Sequence, residues 1–146
     1  MEVKVEGLDR LLKKLDKLGG SIEQSTQKAL LKGGAMFESD AKERCPVDTG
    51  ELRESIHTEA KDAQTVTVGT SCEHGVYVEY GTGPKGDPSV PHTTKKSWRY
   101  KGKDGSWHTS HGQPPQPFMR TAFAENKGKV VDAVKESIRE DVKNLE

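Results

Sequence analysis

Between Ile22 and Ala41 apolar and small residues recur at helical spacing: Ile22, Ala29, Leu30, Gly33, Met36, Phe37 and Ala41 fall close to one face. This predicts an amphipathic helix over about Ile22 to Arg44. Ser21 followed by Gln24 has the capping-box pattern at its start. Pro46 stops it, because the residue before a proline is pushed out of helical geometry. A shorter helix is expected over Leu8, Leu11, Leu12, Leu15 and Leu18, closed by Gly19 and Gly20, and Val3 to Val5 alternate as a short edge strand.

The periodicity then changes. Residues 55–60 and 65–70 alternate around the polar turn Lys61 to Gln64, which predicts a β-hairpin. Val76, Tyr77, Val78, Glu79 and Tyr80 form a further ordered segment whose type the pattern does not decide. From Phe118 the helical period returns through Ala122, Phe123, Val130, Val131, Val134, Ile138, Val142 and Leu145, with a fraying point or kink expected near Gly128. Helices at both ends and antiparallel strands between them describe one α+β domain over residues 1–146, a small antiparallel sheet packed against two or three helices.

The long stretch at about 84–116 breaks this regularity with Gly, Pro, His, Trp and basic residues. SWRYK and SWHT flank GKDG, an Asp-Gly turn signal, so the stretch reads as a long protruding β-hairpin arm. Trp98 and Trp107 are expected to face one another across it. From Pro84 to Arg120 seven basic residues (Lys85, Lys95, Lys96, Arg99, Lys101, Lys103 and Arg120) stand against Asp87 and Asp104, whereas the whole chain is neutral. Such segregation points to an acidic contact, either a neighbouring subunit or a nucleic acid.

Only 31% of the residues are hydrophobic and the mean hydropathy is −0.83. The core is therefore thin, and some of the ordering is expected to come from partner chains. The start, MEVKVEG, lacks the basic and apolar regions of a signal peptide, and no apolar run approaches a membrane span. Cytoplasm-like surroundings, no membrane and two free thiols, Cys45 and Cys72, are expected.

Three motifs, CPVDTGELRESI, YVEYGTG and SWRY followed by GQPPQPFMRTAF, occur here in the order seen in a family of small tailed-bacteriophage proteins that act as tail components or head-tail joining (neck) proteins. The chain resembles that family from about Leu8 to Val142, departing from its simplest members in the length and histidine content of the arm. The resemblance implies a structural subunit of the virion, assembled in the host bacterial cytoplasm. It implies a homo-oligomeric ring that joins head to tail or completes the tail, in contact with the connector and with tail-tube or tail-terminator proteins. It implies no enzymatic activity and no cofactor.

The motifs themselves read as architecture. In PVDTG, Pro46 stops the helix, Asp48 or Thr49 can cap a turn beginning near Gly50, and Gly50 permits a positive φ. In YVEYGTG, Tyr77 and Tyr80 suit a subunit contact or an ordinary core, and Gly81 and Gly83 leave a flexible end. Pro117 and its neighbours aim the arm and deliver Phe118 into the core. Lys95, Lys96, Trp98, Arg99, Tyr100, Lys101, Lys103 and Trp107 are candidates for a subunit interface, with Trp98 and Trp107 as anchors on a neighbour. The same basic and aromatic set would alternatively suit a nucleic-acid-binding module touching passing DNA. Cys72 with His74, and His108 with His111, could in principle supply four zinc ligands, but the spacing matches no zinc motif.

Overall fold

The computed structural model describes residues 2–3 and 22–144. The helix expected over Leu8 to Leu18, residues 4–5 of the first strand, Ser21 of the capping box and Leu145 lie outside the described residues. The elements are β1 (Glu2–Val3), α1 (Ile22–Arg44), α2 (Glu51–Ser55), β2 (Ile56–Ala60), β3 (Val66–Thr70), α3 (Gly75–Tyr80), a 3-10 turn (Gly83–Lys85), β4 (Trp98–Lys101), β5 (Trp107–Ser110) and α4 (Met119–Asn144). This is the expected α+β arrangement. The strands form a three-stranded antiparallel sheet in the order β1-β3-β2 and a separate two-stranded sheet, β4-β5.

α1 is the middle layer, and two adjacent glycines make that possible. A Cβ on Gly33 would sit 2.8 Å from Val130 Cγ1 of α4, and one on Gly34 would sit 2.5 Å from Thr58 Cγ2 of β2. The helix is therefore pressed against α4 on one side and the sheet on the other. Leu30, Phe37 and Ala41 of α1 share a core with Ile56, Val66 and Val68 of the sheet and Phe118, Ala122, Val130, Val134 and Ile138 around α4. The Phe37 and Phe123 rings stack with centroids 5.4 Å apart. At the edge of this interface the Asn126 amide donates to Asp40 at 2.6 Å.

Two details of the helices differ from the periodic reading. Met36, placed on the apolar face, is exposed at 36% because the neighbouring position Phe37 takes the α4 contact. α4 runs unbroken through Gly128, which is exposed and has open space around it. Gly34→Ala is accordingly expected to cost about 1–3 kcal/mol by overpacking, and Gly128→Ala to add about 0.5–1 kcal/mol by relieving the entropy loss of a mid-helix glycine. Urea unfolding of the two variants checks both signs.

Candidate functional site

α4 begins at Met119, and the sequence ahead of it, GQPPQPF, offers no Ser, Thr, Asp or Asn to cap its free amides. The cap comes instead from the other end of the hairpin. Glu79, only 5% exposed, lies on the inward side of α3. Its Oε2 accepts from the backbone amides of Phe118 and Met119, each at 2.9 Å, and its Oε1 accepts from the amide and the Nε of Arg120, also at 2.9 Å. A carboxylate at this position is also favoured by the positive end of the helix dipole.

Arg120 extends the arrangement. Its Nη2 donates to the Glu79 carbonyl and its Nη1 to Asp87 Oδ2, each at 3.1 Å, while its guanidinium lies 4.4 Å from the centroid of the Tyr80 ring. Asp87 in turn accepts from the amide and hydroxyl of Ser89, and its own amide donates to the Tyr80 carbonyl at 2.7 Å. The Ser89 hydroxyl and amide, with the Arg120 guanidinium, hold the Asp87 carboxyl down at about 2.

A lowered carboxyl stabilises the fold only while it is ionised. The Asp87 contribution is thus complete above its unfolded value of about 4 and is lost as pH falls toward its folded value near 2. Thermal unfolding of the wild type and Asp87→Asn should differ at pH 6 and converge between pH 4 and about 2. A constant difference across that range would remove Asp87 from the acid limb.

Backbone contacts close the same junction. Thr82 and Gln113 exchange amide bonds at 2.9 and 3.1 Å, and the Gln116 amide donates to the Val78 carbonyl at 2.8 Å. Gly81 has φ +73°, and a Cβ there would lie 2.6 Å from the Gln113 carbonyl oxygen. YVEYGTG and GQPPQPF, far apart in sequence, are thus the two halves of one clamp at the root of the hairpin.

The hairpin itself turns through Gly102 to Ser106, with the Gly102 amide donating to the Ser106 carbonyl and Gly105 at φ +82°. This is a three-residue loop with a left-handed third position. It pairs Trp98 with Ser110 and Lys101 with Trp107. The tryptophans consequently lie on opposite faces and do not face one another. A two-residue Asp104-Gly105 turn would have put them on one side, and the extra residue flips Trp107 to the other.

Trp98 is half-buried and packs on its own chain's Gly83, where a Cβ would meet its ring at 2.8 Å. Trp107 is 60% exposed, with the Arg99 guanidinium 5.5 Å from its ring centroid. Lys95, Lys96, Arg99, Tyr100, Lys101 and Lys103 are exposed, and Tyr100 stacks on His108. Tyr77 points outward at 59% exposure, whereas Tyr80 is half-buried beneath Arg120.

In PVDTG, Gly50 has φ +87° and the Thr49 hydroxyl accepts from the Glu51 amide at 3.3 Å. Asp48 is exposed and makes no hydrogen bond among the described residues. Cys45 and Cys72 are free thiols, and burial pushes the Cys45 thiol up. Cys72 Sγ meets His74 Nδ1 at 2.9 Å, while His108 lies on the hairpin beside Ser106. Among the described residues no three His, Cys, Asp or Glu gather as metal ligands, and no helix is long and apolar enough to cross a membrane.

The sequence reading missed Glu79 and Asp87 as a site and counted Arg120 among the hairpin's outward charges. Two signals pointed to them: one acid inside an otherwise apolar and aromatic segment, and a helix start with no local cap.

No curated protein and no solved structure matches the chain significantly. A family model described as "Bacteriophage HK97-gp10, putative tail-component" matches residues 9–81, which include the PVDTG turn and the YVEYG half of the clamp. The chain, half of whose length is matched, belongs to this bacteriophage tail-component family.

Proposed function

We propose that this tail component is a structural subunit that joins head to tail or completes the tail as part of a homo-oligomeric ring. Its neighbours would be further copies of itself, the connector, and tail-tube or tail-terminator proteins, with assembly in the host cytoplasm. The observation that carries the reading is the clamp. The chain commits a buried carboxylate and an arginine to anchoring the two roots of a surface hairpin, which suits a part that bears on a neighbour.

A nucleic-acid role for the hairpin is less well supported. Arg99 already lies over one face of the Trp107 ring, so base stacking there would have to displace it. The test is electron microscopy of lysates from the phage with this gene deleted. Filled heads beside detached tails indicate joining, overlong tails indicate termination, and normal infectious particles overturn the proposal.

A further inference from the structure

The tip of the hairpin touches its own chain. Lys103 Nζ lies 3.1 Å from Glu51 Oε2 at the start of α2, with side chains 84% and 57% exposed. An ion pair so open to water contributes little to stability and exchanges readily. Its surroundings are more one-sided than the pair itself. Asp48, Glu51 and Glu54 are all exposed, and the one base among them, Arg53, donates back to the Cys45 carbonyl.

α3 begins against the buried Leu52 of α2, the helix that bears Glu51 and Glu54, since a Cβ on Gly75 would sit 3.1 Å from Leu52 Cδ1. There α3 exposes Val76 and Tyr77, each at 59%. The short helix that carries the acids therefore packs on the start of the helix that carries the apolar pair. The hairpin carries the complement: cross-strand register puts Arg99, Lys101 and Trp107 on one face, with Trp107 exposed. Among the described residues only Lys103 of the hairpin reaches the acidic edge of its own chain by an ion pair.

We propose that the Glu51, Glu54, Val76 and Tyr77 surface receives the Arg99, Lys101 and Trp107 face of a second copy's hairpin. The Lys103–Glu51 pair is then made between copies in place of the one within the free chain. The inference rests on the ring reading above and names the two surfaces that meet in it. Because the internal pair is re-formed between copies, the exchange leaves the number of such pairs unchanged, and the wider face decides for association.

The test complements the gene-deleted phage from plasmids and reads the titre of infectious particles. E51K/E54K and K101E/K103E, each shown folded by circular dichroism, should each lower the titre by about 100-fold or more, as like charges placed opposite one another cost several kcal/mol. The chain carrying all four changes should recover it. Coexpression of the two single-surface variants should recover it as well, because each hairpin then finds an edge of opposite charge on the other chain.

Full complementation by either variant alone, or no recovery on coexpression, would overturn the exchange while leaving the ring reading intact. A deletion phage with undiminished titre would remove both. Loss of single-stranded oligonucleotide binding at low salt in K101E/K103E, with no recovery in the four-change chain, would assign the hairpin to nucleic acid and overturn the proposal.

Discussion

Glu79→Ala is expected to lower the stability of the folded chain by about 3–5 kcal/mol, the usual result of removing one member of a buried, hydrogen-bonded charge pair. Three backbone amides at the start of α4 lose their acceptor together with the Arg120 guanidinium. Each stranded donor that stays buried costs about 1–3 kcal/mol. Arg120 is 37% exposed and keeps Asp87, which moves the expectation toward the lower end of the range. Glu79→Gln preserves the shape and one acceptor oxygen, so it should lose less than the alanine variant. Urea unfolding of both variants gives the comparison. A change below about 1 kcal/mol for Glu79→Ala would mean that water caps α4 as well as the carboxylate does.

Gly81→Ala is expected to cost about 3 kcal/mol or more through two penalties that add. The first is conformational: at φ +73° and ψ −176° the backbone occupies a region reserved almost wholly for glycine, worth about 1–3 kcal/mol for another residue. The second is steric, because the new methyl would meet the Gln113 carbonyl oxygen at 2.6 Å and the Pro115 nitrogen at 2.7 Å. Those are main-chain atoms and cannot rotate aside. Gly105→Ala separates the two effects. That residue also has positive φ but nothing within 4 Å, so it should show only the strain, about 1–2 kcal/mol. If the two variants are equally stable, the close approach of YVEYGTG to GQPPQPF is not rigid. Faster amide exchange at Thr82 and Gln113 in the Gly81 variant would locate the opening at the clamp.

The layers were legible in the sequence because α1 and α4 are long enough for a 3.6-residue period to declare itself, and because β2 and β3 alternate around an obvious turn. α3 was not. Val76 to Tyr80 is a short run of β-branched and aromatic residues in which the local preference is for a strand. What makes it helical is tertiary: Gly75 admits Leu52 and Thr70 at its start, and Glu79 turns inward to the amides of α4. The faces of the hairpin were hidden for a different reason. One residue in the length of a turn decides which side Trp107 occupies, and no apolar pattern on so polar a ribbon fixes that choice. The clamp joins positions about forty residues apart in the chain, and a pairing that distant leaves only the unpaired halves of the pattern to be noticed.

The clamp also bears on how freely the chain can vary. With both roots held by Glu79, Arg120 and the Thr82–Gln113 pair, the span between them hangs from a closed gate. Doubling the length of such a span costs only about 0.6 kcal/mol in closure entropy. The reach of the ribbon and the chemistry it displays can then be exchanged as a cassette, while the packing of α1, the sheet and α4 stays as it is.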